Sequence, residues 1–395
     1  MRQWVVSVGL LALTVVLGLI TLLLPPFLTA EPVENHAKAA WVDRQWSVQV
    51  AVDKLAPTAE HLQLNIMGVG HLQAHKQRTR TLDDGTLVWQ GSLSQSGEPP
   101  AANTWQAAMN TLLLISSDRG ITGSLRWEGH VFRLYHTGTR TVLEEVNPAK
   151  LPADEPADSP STSIRPQKGQ TGNLQPGDAT IRVLVFASKN AAQAHEDIEA
   201  LAQLAIEESN QTFNLSAIGL SFELAGFEPL DYVQSGAGNS LELLRLWRAD
   251  DGYMDEVHLQ RDALAADVVV LLVDTTNPDS CGVAAGITEE QAFAVVNIAC
   301  IGVSRYTFPH EIGHIIGAAH DGGDGLFTYG HGYAHEPAAG PRLYTVMAAG
   351  RPGMVRLPYW SDPQREVDGI RLGDKDTADN RRLLEERKGI VAGFR

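Results

Sequence analysis

Cysteine is scarce. The 395 residues contain two, Cys281 and Cys300, and residues 1–280 contain none. Two cysteines exclude a cysteine-rich metal site. Cationic side chains are also few, 31 Lys and Arg against 47 Asp and Glu, for a net charge of −16. Such a polyanion argues against nucleic acid as a partner, because phosphate contacts need Lys and Arg. No second long apolar run follows the first 24 residues, so the chain has no second membrane span. There is no internal repeat. Hydrophobic residues make up 44% and charged residues 20%, which fits a packed globular protein and excludes a disordered or fibrous one. Length alone corresponds to about two or three domains.

The charge is uneven. Residues 179–395 hold 31 acidic and 17 basic side chains, whereas residues 1–178 hold 16 and 14. The C-terminal half is the acidic one. At the other end, Met1-Arg2-Gln3 precedes 21 residues without a charge (4–24), closed by Pro25 and Pro26. A signal-peptide core is ~7–15 residues and a spanning helix roughly 20. The length favours an uncleaved membrane anchor. A cleaved signal peptide is the alternative, with Leu28-Thr29-Ala30 as a mediocre cleavage site. Residues 1–30 are therefore read as signal peptide or anchor. Arg2 stays inside in both cases, and the remainder is exported: membrane-anchored facing outward, or secreted.

Residues 31–146 alternate apolar and polar, as in Trp46-Ser47-Val48-Gln49-Val50 and Val131-Phe132-Arg133-Leu134-Tyr135. Asp83-Asp84-Gly85 and Glu128-Gly129 supply hairpin turns. This is a small β-rich domain whose histidines (His61, His71, His75, His130, His136) form no cluster. Residues 147–178 hold Pro148, Pro152, Pro156, Pro160, Pro166 and Pro176. They read as a Pro-rich linker, too polar to bury a core and open to nicking. From residue 179 strands alternate with helices: a strand at 181–187, a helix at 191–210, a strand at 221–227 and a helix at 240–248. The run A-D-V-V-V-L-L-V at 266–273 has the apolarity of a buried parallel strand. Residues 179–395 are an α/β domain.

Exported chains permit disulfides. Residues 282–287 and 292–299 read as two short strands around 288–291. As an antiparallel pair they would set Cys281 opposite Cys300, within bridging distance. Two free buried thiols are the alternative.

The chemistry lies in Thr307-Phe308-Pro309-His310-Glu311-Ile312-Gly313-His314-Ile315-Ile316-Gly317-Ala318-Ala319-His320-Asp321. His310 and His314, four apart on a helix, share one face and can share a zinc ion. Gly317 can take a left-handed conformation and end the helix. His320 then returns as a third ligand. Three imidazoles leave one coordination position open, the arrangement of a catalytic zinc. Glu311 sits where it can act as general base on a zinc-bound water. For a chain with this histidine content, a chance match of the six fixed positions is on the order of one in a hundred thousand.

This stretch resembles the metzincin metallopeptidases, with Asp321 typical of the reprolysin-like branch. Met347, in Tyr344-Thr345-Val346-Met347-Ala348, fits their Met-turn. Cys281-Gly282-Val283-Ala284, Leu357-Pro358-Tyr359-Trp360-Ser361-Asp362-Pro363 and the C-terminal segment resemble bacterial peptidyl-Asp metallopeptidases. The resemblance implies a mostly parallel twisted sheet with an antiparallel edge strand and an active-site helix. It also implies one catalytic Zn2+, a peptide or protein substrate and a preference for cleavage beside Asp. It implies a pro-region before residue 179. With no cysteine there, a cysteine switch is excluded; if the region inhibits, it must do so sterically or with a carboxylate or histidine, and a permanent domain is the equal alternative. Pro309 departs from the pattern; the expected accommodation is a helix capped by Thr307.

A substrate peptide is expected to add to the edge strand along Gly282, Val283, Ala284, Ala285 and Gly286. Tyr359 and Trp360 are candidates for a pocket or for core. Arg342, Arg351 and Arg356 are candidates for recognising a substrate carboxylate, although the acidic catalytic half argues weakly against acidic substrates. The alternative to a peptidase is a catalytically silent, zinc-containing peptide-binding module of the cell envelope. The intact Glu311 counts against it. Nothing in the sequence specifies a calcium site or an oligomeric state.

Overall fold

A computed structural model describes residues 25–33, 38–101, 104–156, 177–275, 279–323, 325–351 and 353–395. The apolar run at 4–24 lies outside them. Among the described residues no helix is long and apolar enough to cross a membrane.

The N-terminal half is a closed barrel. Its strands are β1 (Leu28–Pro32), β2 (Val42–Val50), β3 (His61–Ile66), β4 (Gly70–Thr81), β5 (Leu87–Ser94), β6 (Thr111–Ser117), β7 (Gly120–Trp127), β8 (His130–His136) and β9 (Thr141–Val146). A helical turn, α1 (Trp105–Met109), joins β5 to β6. The ladder runs β1-β2-β9-β8-β7-β6-β5-β4-β3 and closes on itself. Alternation puts Trp46, Trp89 and Phe132 inside, all at most 1% exposed. Closure depends on β1, which pairs antiparallel with β2 and parallel with β3. That strand crosses the boundary expected at residues 30 and 31. Leu28 and Ala30 are buried within it, so the barrel begins inside the segment read as signal or anchor.

The C-terminal half is a mixed α/β layer. Its elements are β10 (Ala179–Ala187), α2 (Lys189–Ala194), α3 (Ile198–Leu215), β11 (Leu220–Pro229), α4 (Asn239–Trp247) and α5 (Glu256–Ala263). Then follow β12 (Val268–Val273), β13 (Gly282–Ala284), β14 (Phe293–Asn297), α6 (Thr307–Ile316) and, at the end of the chain, α7 (Asn380–Val391). The sheet order is β11-β10-β12-β14-β13. Its first four strands are parallel, and β13 pairs antiparallel with β14 at the edge. Every residue of β12 is buried, as a central parallel strand requires.

Three local expectations are corrected. The single helix at 191–210 is two helices, because Asp197 caps a new one by accepting from Ala200 N–H at 3.1 Å. The edge strand stops at Ala284, leaving Ala285 and Gly286 beyond the ladder. The Cys281–Cys300 disulfide is present, but the cysteines are not opposite in the ladder, whose register pairs Gly282 with Val296. A 3-10 turn at Ile298–Cys300 brings Cys300 back to its partner.

The two halves share a core. Val88, Leu113 and Ile115 of the barrel pack with Leu201, Leu204 and Ala205 of α3. Arg80 pairs with Glu207, and Arg133 donates to the Ile298 carbonyl at 3.2 Å. Residues 147–156 do not behave as a free linker. Asn147 N–H donates to Trp41 O at 2.8 Å, and Leu151 packs buried against the disulfide.

Candidate metal centre

Helix α6 carries the centre. Phe308, Ile312, Ile315 and Ile316 are at most 2% exposed. Each contributes about 1.5–3 kcal/mol by burial, which fixes the helix against the sheet. The helix starts differently from the expectation. Tyr306, with φ 51°, is the N-cap, and Thr307 is the first helical residue. Pro309 is therefore third in the first turn, where a missing N–H leaves no intrahelical bond unmade. At the other end Gly317 has φ 115°, a left-handed conformation that a side chain would strain. Gly317 and Ala318 N–H both donate to the Gly313 carbonyl, at 3.0 and 2.9 Å. The chain reverses there and returns His320.

The three imidazoles converge. His310 Nε2 is 3.0 Å from His320 Nε2 and 3.2 Å from His314 Nε2, and the remaining pair is 3.3 Å apart. Nitrogens bound to one tetrahedral zinc at ~2.0–2.1 Å are about 3.3 Å apart, so the group fits that ion. The outer nitrogens are also committed. His310 Nδ1 lies 2.8 Å from Val346 O and His314 Nδ1 2.9 Å from Ala318 O. Donation to those carbonyls leaves each Nε2 lone pair aimed inward. Burial, first, and the other two imidazoles hold His310 well below its usual pKa.

Met347 is fully buried beneath the helix. Its sulfur packs on the Gly313 backbone, where a Cβ would lie 2.6 Å from Sδ. Asp321 ties the third-ligand loop to the chain after Met347, accepting from Ala349 N–H at 2.7 Å and pairing with Arg351. Glu311 is fully buried, and neither carboxyl oxygen has a hydrogen-bond partner among the described residues. Burial pushes its pKa well up, and the Glu155 and Asp154 charges push it further. Gly282 lies against it: a Cβ there would stand 2.5 Å from Glu311 Oε1.

A fourth group joins the histidines. Glu155 Oε1 is 2.7 Å from His314 Nε2 and 3.6 Å from His320 Nε2. With the three imidazoles it forms a set whose ligand atoms all lie within 4.8 Å of one another. Burial alone would raise the Glu155 carboxyl, but the facing histidines, His314 foremost, hold it below its usual range. The segment is held along β13: Cys281 N–H donates to Ala153 O at 2.7 Å and Gly282 N–H to Asp154 O at 3.0 Å. The Asp154 carboxylate meets Arg356 at 2.6 Å, Arg305 at 3.3 Å and the Gly350 N–H at 3.0 Å.

Sequence reasoning missed Asp154, Glu155 and Arg305. An acidic pair between Pro152 and Pro156, in a region without cysteine, was the available signal. Of the three arginine candidates, Arg356 pairs with this segment through Asp154. Arg351 pairs with Asp321 and Glu336, and Arg342 with Glu336. Tyr359 and Trp360 are core. Trp360 stacks on Phe213 and donates to Thr212 Oγ1 at 2.9 Å.

Comparison with known proteins now decides the family. Residues 177–354 match the family described as Reprolysin_5, metallo-peptidase family M12. The peptidyl-Asp metalloendopeptidase of Stenotrophomonas maltophilia (strain R551-3) is 38% identical over 363 residues, covering 88% of this chain and 86% of its own. The chain belongs to metallo-peptidase family M12. A second relative, the peptidyl-Asp metalloendopeptidase of Xanthomonas campestris pv. campestris, is 34% identical over 364 residues, 88% of this chain and 85% of its own. The crystal structure of metalloproteinase-II from Bacteroides fragilis shows a slight likeness, with TM-score 0.38 and 14% identity over 69% of this chain and 85% of the other; the assignment does not rest on it. This M12 peptidase is a zinc endopeptidase, and its cofactor is one zinc ion.

Proposed function

We propose that the chain is an exported zinc endopeptidase made in a latent form, with Glu311 as general base and a preference for bonds beside aspartate. The observation that carries the reading is the convergence of His310, His314 and His320 around one point beside a fully buried Glu311. Export is supported by the apolar run at 4–24 and by the disulfide. The preference for aspartate is taken from the relatives' name.

In the active form His310, His314 and His320 hold the zinc. When bound, zinc lowers the pKa of a water toward ~7 and polarises the scissile carbonyl. Glu311 accepts the water's proton and delivers it to the leaving amine. Its desolvated site keeps competing water away from the transferred proton. The edge of the sheet at β13 receives the extended peptide through main-chain hydrogen bonds.

In the latent form residues 153–155 take that edge. Glu155 offers a fourth ligand atom, which closes a site that a catalytic zinc keeps open. The barrel and residues 147–156 thus act as a pro-region that blocks the cleft with a carboxylate.

The test uses the full chain carrying Asp154→Ala and Glu155→Ala, the opened chain, with and without Glu311→Ala. Zinc near one per chain in both, with chelator-sensitive peptide cleavage only when Glu311 is present, is the expected result. Zinc binding without cleavage in either points to the silent peptide-binding module instead.

A further inference from the structure

Asp154 does more than carry Glu155 to the histidines. Its side chain is 9% exposed, and the Arg356 side chain that meets it is 2% exposed. The other hydrogen bonds of Arg356 go to backbone carbonyls, Ala348 O at 2.9 Å and Arg305 O. Among the described residues Asp154 is the only carboxylate within ion-pair distance of Arg356. A buried guanidinium without an anion is strongly unfavourable, because its lost hydration is not replaced. When residues 153–155 leave β13, the seat is left cationic, one residue along the chain from the metal group. Only an acidic side chain on the incoming peptide restores the pairing.

We propose that Arg356 and Arg305, with the Gly350 N–H, form the subsite that selects an aspartate side chain in the substrate, and that Asp154 fills it in the latent chain as a built-in mimic. The inference rests on the peptidase reading, from which it takes β13 as the substrate's track. Arg356 Nη2 meets one carboxylate oxygen and Arg305 Nη1 the other, so the two guanidinium groups together clamp a carboxylate. The seat holds that carboxylate on a single methylene, one fewer than a Glu side chain carries. The acidity of residues 179–395 does not oppose this. Exposed charges are screened beyond about 10 Å at 0.1 M salt, whereas the two guanidinium groups act at 2.6 and 3.3 Å.

The opened chain is assayed on zinc-loaded protein with peptides that differ only at one central residue, Asp, Asn or Glu. The expected kcat/KM for Asp exceeds that for Asn by at least about 100-fold, because the unpaired seat rejects the neutral isostere. Arg356→Gln lowers this ratio at least tenfold, and Arg356→Lys restores part of it. Arg305→Gln, at the less buried arginine, lowers the ratio in the same direction and serves if Arg356→Gln does not fold. A second readout is calorimetric binding of the Asp and Asn peptides to the metal-free opened chain, with the same discrimination expected. Binding that discriminates without cleavage of any peptide overturns the peptidase reading and leaves the seat standing. Equal treatment of Asp and Asn, or a preference untouched by both arginine substitutions, overturns the seat.

Discussion

Asp154→Asn in the full-length, zinc-loaded chain tests the force proposed to hold residues 153–155 in the latent form. The substitution conserves shape and removes one charge. That charge lies between two guanidinium groups, with Asp154 9% and Arg356 2% exposed in their side chains. Breaking one partner of a buried pair costs about 3–5 kcal/mol. Asp154 is solvated once the segment leaves, so the loss falls on the closed state. Taking the low end, about 3 kcal/mol, and tenfold per 1.4 kcal/mol, the closed-to-open ratio drops on the order of 100-fold. Cleavage of a fluorogenic Asp peptide should rise by up to that factor over wild type, with the rate of the opened chain as ceiling. Because the pair is buried, the gain should persist from low to moderate salt. A variant as silent as wild type, alongside an active opened chain and an unchanged melting temperature, would refute the claim that this pair holds the segment.

Two further outcomes are expected. Gly282→Ala places a Cβ 2.5 Å from Glu311 Oε1, so in the opened chain it should cut kcat at least about 100-fold while zinc stoichiometry stays the same; a rate within twofold of the parent would show that Glu311 moves freely. Glu208, which accepts from Gly302 N–H at 3.1 Å where α3 meets the barrel, has its carboxyl pushed by burial from 4.5 up to about 7. A raised folded-state value means stability present below pH 4.5 and lost as pH rises through about 7. The loss amounts to about 3 kcal/mol. Glu208→Gln should therefore melt higher than wild type at pH 8 and no higher at pH 4, and an equal difference at both pH values would contradict the assignment.

The convergence of the three histidines was legible because its determinants are local. A four-residue spacing on one helix, a glycine that ends it and a histidine three residues later bring three imidazoles together almost regardless of context. The arginine seat was not legible for the opposite reason. Asp154 and Arg356 are 202 positions apart, and no periodicity connects them. Proline content made residues 147–156 read as linker, whereas the N–H groups of Cys281 and Gly282 at the sheet edge, needing partners, bind that stretch down.

The sequence by itself therefore determined the α/β pattern of residues 179–395, the strand alternation of the barrel, the helix with its three histidines and Glu311, and the pairing of the two cysteines. Tertiary structure decided how the barrel closes through Leu28–Pro32, which turn aligns Cys300 with Cys281, and which carboxylates lie against the metal group and the arginines. Local patterns are set by backbone geometry over a few residues. Ring closure and ion pairing across two halves of a chain depend on where the packed core leaves an edge or a buried charge unsatisfied, and only the folded arrangement specifies that.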